Sequence, residues 1–438
     1  MDQALDSFRL ATRALRAARR GLRIVATPLV LVLSSSAIYA QTAPAPPAPA
    51  PVSSGDAPLF RPYVILKPEF IAASAAVESF GQPNASAPSA AGNPVLAALP
   101  EESFTTFQAA QSRLGFWFDE KGPARGHLEF DFIDFTKSSP TVASLPRLRI
   151  ANVDWIVSEH FTISAGQDWD LYAPINPYTL NITASGFQTG NSGFMRQQAK
   201  FIYHNDAVEF GAALGMAGVN NTAKLGVPEF GRLPSLAVRA ALLFGSAGRI
   251  GISALGARWR FGAGLPAQRY ATAGAVNLYG DVTPFAHFSL RFEGYAGRDL
   301  ANIGSLTLSN GNVTDDINEI GGFVSAKYNL TDTHALYTLL GTAKVLNDNK
   351  VVPAYSYPAT TDGMLPMAST ATISGTGPGM VANTTLRLGY EYRYSKSLAV
   401  QLEGFMFHSH HVLQAVDVDR FDPVRSAYGG ELGLFYTL

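Results

Sequence analysis

The stretch Thr385–Tyr394, TLRLGYEYRY, decides the fold class. Its even positions hold only leucine and tyrosine, whereas three of its odd positions hold the charged residues Arg387, Glu391 and Arg393. A period of two places the two kinds of side chain on opposite faces of an extended chain, while a helix requires a period near 3.6. The stretch therefore predicts a β-strand with one apolar face and one charged face.

The same alternation recurs along the chain, in HFSLRFEGY (His287–Tyr295), GHLEFDF (Gly126–Phe132) and SLAVQLEG (Ser397–Gly404). At the C-terminus it continues from Tyr428 to the last residue, as in the terminal strand of outer-membrane proteins. A soluble sandwich would also alternate. Aromatic residues near segment ends and segments of about ten residues, long enough to cross a bilayer when tilted, favour a membrane barrel.

Composition supports the same fold class. The 438 residues are 47% hydrophobic and 15% charged, against about 25% charged in soluble domains. The apolar run of residues 24–40 is shorter than the roughly 20 residues of a membrane helix, and this excludes a polytopic helical membrane protein. Because only helices and closed barrels satisfy their backbone in lipid, the sequence predicts an all-β, transmembrane antiparallel β-barrel.

Several function classes are disfavoured. The chain has no cysteine and a net charge of −1, which excludes thiolate chemistry and gives no basic signature for nucleic acid. We find no phosphate-binding loop, GxSxG elbow, HExxH motif or Ser–His pair, so we expect no enzyme activity and no cofactor. In the run from His408 to His411, alternation places His408 and His410 on one face, where they could chelate a metal; a water-exposed cluster is favoured because no acidic partner is evident.

Three regions are predicted. Residues 1–40 carry a basic segment, an apolar core and small residues before Ala40, which is typical of a secretory signal; a retained signal anchor is the alternative. Residues 41–58 alternate proline and alanine and predict a periplasmic tether. Residues 59–438 form the barrel.

Connection lengths predict the strand number. About seven short connections alternate with about eight long ones, which corresponds to roughly sixteen strands with short periplasmic turns and long outer loops. Barrels of this size leave an aqueous channel. The short connections are expected at residues 120–123, 158–160, 205–206, 246–248, 283–286, 331–333 and 395–397.

Charged residues on the polar faces are candidates for the channel lining. Basic side chains in a pore favour anions. Arg147 and Arg149 share one face and would repel unless a permeant carboxylate or a lumen acid lay between them. A salt-bridge network that stiffens the wall is the alternative. The predicted lining residues are Arg113, Arg147, Arg149, Arg196, Lys200, Arg291, Glu129 and Asp131.

The long connection of residues 170–193 contains two prolines and is moderately apolar. Long loops in compact domains are usually functional or disordered. We interpret this one as a loop that folds into the lumen and constricts it. An exposed outward loop is the alternative.

Residues 111–197 resemble the DcaP-like outer-membrane porins, which are related to the phosphate-selective O and P porins. The resemblance rests on five pieces in order, which are Ser112–Gly115, Glu129–Phe132, Arg147–Ala151, Gly166–Trp169 and Arg196–Gln197. It implies a sixteen-stranded homotrimer that passes small anionic solutes, including dicarboxylates. It also implies that the inward arginines steer these solutes, with Arg113, Arg147, Arg149 and Arg196 in that role.

Together these observations predict an outer-membrane porin for passive diffusion of small hydrophilic, carboxylate-type anions. Its partners would be outer-membrane lipid, the solutes and two further copies of the chain. Three alternatives remain open, namely an outer-membrane barrel enzyme, a transporter of hydrophobic substrates and a non-conducting anchor. An enzyme would need a Ser–His pair, a hydrophobic transporter an apolar lumen, and an anchor would show no conductance.

Overall fold

The computed structural model describes residues 59–74, 77–78, 82–85, 103–133, 146–181, 188–216, 233–261, 269–300, 308, 316–351, 380–412 and 423–438. The predicted signal peptide (1–40) and tether (41–58) lie outside the described residues. All described strands belong to one compact unit, Thr42–Leu438.

Nearly all of the described chain is β-strand. The strands, numbered in chain order, are β1 (Phe60–Leu66), β2 (Glu69–Ala73), β3 (Val77–Glu78), β4 (Gln82–Ala85), β5 (Phe104–Gln108), β6 (Arg113–Phe118), β7 (Ala124–Asp131), β8 (Arg147–Ser158), β9 (Phe161–Trp169), β10 (Met195–His204), β11 (Val208–Gly215), β12 (Leu233–Leu243), β13 (Gly248–Phe261), β14 (Arg269–Phe285), β15 (Phe288–Arg298), β16 (Asn318–Asn329), β17 (His334–Val345), β18 (Met380–Arg393), β19 (Leu398–His411) and β20 (Val424–Thr437). Within the described parts of the chain, no helix has the length and hydropathy needed to cross a membrane.

The strands close into an antiparallel barrel of sixteen strands, as the sequence predicted. Eighteen segments form one sheet, and β3 and β4 form a separate hairpin. Both β1 and β2 pair with β20, so they are two parts of one barrel strand that also closes the barrel. In the same way β5 pairs with β2 and β6 pairs with β1. Counting each interrupted strand once gives the sixteen.

The alternation seen in the sequence separates an apolar exterior from a charged interior. On β18, Leu386 and Leu388 are exposed on the outside, whereas Arg387 and Glu391 are buried inside. At the end of the barrel that carries the short turns, exposed aromatic side chains form an outer girdle, as at the membrane interfaces of porins. This girdle consists of Phe60, Phe118, Trp155, Tyr203, Phe285, Tyr328, Tyr390, Tyr394 and Tyr436.

The seven short connections are all present; six have bounds within one or two residues of the prediction, and one differs by more. Strand β14 continues to Phe285, so its turn is confined to Ala286 and His287 instead of starting at Thr283. The register with β15 shifts between Val282 and Phe285, because Pro284 cannot donate a ladder hydrogen bond and is tolerated at such an irregularity. The hairpin of β3 and β4 also occupies part of the first long connection.

The largest cluster of buried apolar side chains lies between the barrel wall and the connection that follows β9. Leu171 and Tyr172 of this connection pack in a cluster with Tyr295 and Leu300. Ile175 packs in a second cluster that includes Tyr279 and Phe323. The hydrophobic core of the protein therefore lies inside the barrel, where it fixes one loop against the wall.

Candidate functional site

The connection between β9 and β10, here called the inner loop (residues 170–194, described for 170–181 and 188–194), lies within the lumen. Its Ile175 N–H donates to the Glu293 carboxylate of β15 at 2.9 Å, and its Leu180 N–H donates to the Glu403 carboxylate of β19 at 2.8 Å. Both carboxylates are on interior faces. The prediction that this connection folds inward is confirmed.

The inner loop follows the wall over much of the barrel circumference. The carbonyl of Tyr172 accepts a hydrogen bond from Asn277 of β14 at 3.3 Å, and the Tyr178 N–H donates to Ser325 of β16 at 2.9 Å. Further along the loop, the Leu180 carbonyl accepts a hydrogen bond from Lys67, which lies between β1 and β2. These contacts involve β14–β16, β19 and the segment between β1 and β2. The loop meets the wall formed by β6–β10 near its end, where Arg147 lies over the Phe194 ring at 5.7 Å from the ring centre.

Five predicted lining residues come together on that wall. Arg147 makes a two-point ion pair with Asp131, with its Nε at 2.8 Å from Oδ1. Arg149 pairs with Glu129 and has its Nε at 3.8 Å from Asp131. Arg113 lies within electrostatic reach of Arg149, Glu129 and Asp131. Asp131 and Glu129 therefore offset the repulsion expected between Arg147 and Arg149. The cluster contains three cations and two anions.

Two further predicted residues lie at the base of the inner loop. Arg196 of β10 pairs with Asp170 at 2.8 Å and donates to the carbonyl of Met216 at 2.8 Å. Lys200 pairs with Asp168 of β9. Both cations are nearly inaccessible to solvent. Arg196 holds the start of the loop to the wall and Lys200 joins β10 to β9, which matches the salt-bridge alternative.

Arg291 lies apart from the other predicted residues. It is on β15, nearly halfway around the barrel from β8. Its Nε is 3.2 Å from Asp281, and its guanidinium lies over the Tyr178 ring at 4.2 Å from the ring centre. It also donates to the carbonyl of Asn176 at 3.3 Å. Arg291 therefore meets the inner loop from the wall that the loop covers.

Within the ion pairs, the cation is commonly the more accessible partner. The side chain of Arg147 is 25% exposed and that of Asp131 is 1% exposed. Arg393 is 54% exposed beside Glu391 at 7%, and the pair of Lys200 and Asp168 is reversed, at 9% and 23%. The acid is also the more exposed partner in the pairs of Arg239 with Glu209 and Arg291 with Asp281. Arg147 and Arg393 are therefore accessible guanidinium groups backed by buried acids.

Several interior cations are missing from the predicted lining residues, among them Arg239, whose Nε is 2.8 Å from Glu209. Arg249 is 3.5 Å from Glu209, Lys327 is 3.0 Å from Glu391, and Lys67 is 2.8 Å from the buried Glu69. Arg249 and Lys327 alternate with outward apolar residues, so stricter use of the period of two would have found them. Lys67 falls in the gap between β1 and β2, where alternation gives no signal.

No group of three metal-ligating side chains occurs in the described part of the chain, which includes the histidine run. His408 and His410 share the exposed outer face, as alternation predicted. The Nδ1 of His408 lies 2.9 Å from the Ser426 hydroxyl. A Ser–His pair is therefore present at the outer rim, contrary to the sequence expectation. The two residues are 18 positions apart on separate strands, so no sequence motif indicates the pair.

No family model and no curated protein sequence matches the chain. Solved structures do match in fold. The outer-membrane channel DcaP of Acinetobacter baumannii aligns with a TM-score of 0.60 at 12% identity, over 86% of this chain and 97% of the channel. An anion-selective porin from Comamonas acidovorans aligns with a TM-score of 0.51 at 12% identity, over 86% of this chain and 99% of the porin. The predicted resemblance to DcaP is thus confirmed at the level of the fold.

Proposed function

We propose that this protein is an outer-membrane porin that lets small hydrophilic anions, of the carboxylate type, diffuse through an arginine-lined channel. The observation that carries the proposal is the inner loop, which narrows the lumen of a closed sixteen-strand barrel. A barrel of this size would otherwise hold a wide aqueous channel. A loop within the lumen brings passing solutes close to the charged wall.

The preference for anions follows from which charges are accessible. A solute opposite Arg147 meets the guanidinium, because Asp131 lies behind it and is shielded. On the other wall it meets Arg249, which is 29% exposed beside Glu209 at 14%, whereas Arg291 and Asp281 are about equally exposed, at 31% and 34%. Guanidinium groups attract anions and bind carboxylates with two hydrogen bonds. The same proposal gives roles to Arg113, Arg149, Arg196 and Lys200, which contribute to the positive potential or position their neighbours.

The alternatives fit these residues less well. A transporter of hydrophobic substrates would have an apolar lumen, whereas this lumen carries ion pairs on both walls. An enzyme of the Ser–His type would need a group to orient the imidazole, commonly a carboxylate. His408 and Ser426 are on the exterior, and the carboxylates of the described barrel strands are on the interior. An anchor would not need an inner loop.

We further propose roles for the two segments before the barrel, and an assembly and an orientation for the barrel itself. Residues 1–40 would direct export and be removed, residues 41–58 would form a periplasmic tether, and three copies would assemble in the outer membrane. The short turns would face the periplasm and the long connections the outside.

Solute flux into proteoliposomes tests the function. The purified barrel would be reconstituted, and entry of a small dicarboxylate, an uncharged polyol and a diamine of similar size would be compared. We expect entry of all three, fastest for the dicarboxylate and slowest for the diamine. Equal rates would contradict the anion preference, and no entry above empty liposomes would favour an anchor.

A further inference from the structure

The exterior of β17–β20 carries a group of polar side chains near the end of the barrel with the long connections. This outward polar patch consists of Thr342, Lys344, Thr384, His408, His410 and Ser426. The strand register arranges its members in two rows. One row runs through Thr342, Thr384, His408 and Ser426, and the other through Lys344, Ala382 and His410. The next row towards the short turns is apolar, comprising Leu340, Leu386, Met406 and Tyr428.

In the row of Thr342, Thr384, His408 and Ser426, neighbouring side chains form hydrogen bonds with one another. In the row of Lys344, Ala382 and His410 they do not. The hydroxyls of Thr342 and Thr384 are 2.9 Å apart, and His408 bonds Ser426. Among the described residues, none makes an ion pair with Lys344 or a hydrogen bond with the ring of His410. Lys344 and His410 are about 10 Å apart across two strand spacings. Between them Ala382 leaves a shallow floor beneath two exposed donors.

The described exterior offers no counter-ion for this patch. Carboxylates on the described barrel strands belong to interior faces, where their partners are interior polar side chains or the inner loop. They are Glu69, Glu129, Asp131, Asp154, Asp168, Glu209, Asp281, Glu293, Glu319, Glu391, Glu403 and Glu431. A second copy packed strand face to strand face would therefore bring no carboxylate from these strands to Lys344. The strand faces of a second copy are therefore not the source of an anion for this patch.

We infer that the outward polar patch binds the phosphorylated head group of an outer-leaflet lipid, with a phosphate above Ala382 between Lys344 and His410. This inference rests on the proposed function, because the porin orientation places the long connections, and hence the patch, at the outer leaflet. The apolar row beneath the patch contacts the acyl chains. Lys344 supplies charge to the phosphate, and the imidazole and hydroxyl groups supply hydrogen bonds.

Lipid binding in detergent tests the inference. Diphosphoryl lipid A, the same lipid after removal of both phosphates, and inorganic phosphate would be titrated into the purified barrel, with binding measured by native mass spectrometry. We expect diphosphoryl lipid A to bind and the dephosphorylated lipid to bind much more weakly. Saturable binding of inorganic phosphate alone, at the same concentration, would indicate a free-anion site and overturn the lipid assignment.

Variants locate the site. Lys344→Ala combined with His410→Ala should weaken lipid A binding by at least about fivefold, since a lysine near an anionic surface contributes about fivefold and the imidazole adds a hydrogen bond. Lys344→Arg should retain binding. Gln197→Ala, an outer-face change on β10, is the matched control and should leave binding unchanged. The inference is wrong if the double variant binds lipid A as tightly as the wild type does. It is also wrong if the double variant loses its oligomeric state but still binds lipid A.

The test separates this inference from the proposed function. The double variant lies outside the lumen, so its solute flux should equal that of the wild type. If the wild type shows no flux but lipid A binding still depends on Lys344 and His410, the porin proposal fails and the lipid site stands. If flux is normal and the variants bind lipid A equally, the lipid site fails alone.

Discussion

The carboxylate of Glu403 accepts the backbone N–H of Leu180 at 2.8 Å, joining the tip of the inner loop to strand β19. Glu403 is fully buried and also pairs with the fully buried Arg387, which is 3.4 Å from Glu431. The loop tip is therefore attached to an ion cluster in the wall. Disturbing that cluster should move the loop as well as weaken the barrel.

Glu403→Gln should destabilise the barrel and loosen the loop tip. Breaking a buried ion pair costs about 3–5 kcal/mol, and Arg387 would keep only Glu431. We expect a lower midpoint of thermal unfolding and greater open-channel current noise. Glu391→Gln is the matched control, because Glu391 pairs with Lys327 and Arg393 but has no hydrogen bond to the described loop. Equal noise in the two variants would contradict the role of Glu403 in holding the loop.

Arg147→Ala and Arg149→Ala should have different effects. Arg147 is accessible, whereas the side chain of Arg149 is 7% exposed and paired with Glu129. We therefore expect Arg147→Ala to lower the anion-to-cation permeability ratio about two- to threefold, in line with a loss of about 0.5 kcal/mol at a screened charge. Arg149→Ala should mainly lower thermal stability, because Glu129 would be left buried without its partner.

Reversal potentials and unfolding midpoints, measured for both variants, check this pair of predictions. Arg113→Ala provides a comparison within the same cluster. If neither substitution changes the permeability ratio, the cluster is a structural salt-bridge network and does not select solutes. If Arg149→Ala changes the ratio more than Arg147→Ala, accessibility is not what decides selectivity.

Gly190→Ala should displace the returning part of the inner loop. Gly190 has a φ of +108°, and a Cβ there would overlap the backbone carbonyl of Gly322 on β16. We expect an altered single-channel conductance and a loss of stability of more than about 1 kcal/mol. Gly245→Ala is the control, because Gly245 also has a positive φ, +57°, but nothing lies within 4 Å of its Cβ position. An unchanged conductance in Gly190→Ala would show that the contact with β16 does not position the loop.

Asp299 should make stability depend on pH. It follows β15, and burial raises the pKa of its carboxyl to about 6 from 3.8, while Ile317 N–H donates to it at 2.7 Å. Because the folded-state pKa is raised, its favourable contribution is complete below about pH 4 and is lost as pH rises through 6. Asp299→Asn should therefore stabilise the barrel at pH 8 by up to about 2–3 kcal/mol and have little effect at pH 4.

Unfolding in urea at pH 8 and pH 4 checks the Asp299 prediction. The exposed Asp348, changed to Asn, serves as the control and should not alter the pH dependence. A stability difference between wild type and Asp299→Asn that is the same at both pH values would contradict a raised pKa.

The barrel could be predicted from the sequence because its chief determinant is local. Alternation along Thr385–Tyr394 fixes which side chains face lipid, and the short polar turns fix where strands end. The register and the interruption of β1 after Leu66 depend on pairing between distant strands, so the sequence indicated neither. The inward fold of the inner loop could be predicted only as one of two alternatives.

The candidate site could be predicted as a set of residues but not as an arrangement. Alternation places Arg147 and Arg149 inside, yet their exposure depends on Asp131 and Glu129 of the neighbouring strand. The attachment of Leu180 to Glu403 joins parts of the chain that share no local pattern. The pairing of His408 with Ser426 likewise arises only when β19 and β20 lie side by side.

The most direct test of the porin account is the current through single reconstituted proteins in a planar bilayer under a KCl gradient. The account predicts stepwise conductance, with steps in groups of three for a trimer, and a reversal potential of the sign given by chloride preference. It also predicts that this potential moves towards zero in the combined variant of Arg147→Ala and Arg291→Ala. A folded wild-type barrel that inserts and passes no current would contradict the account.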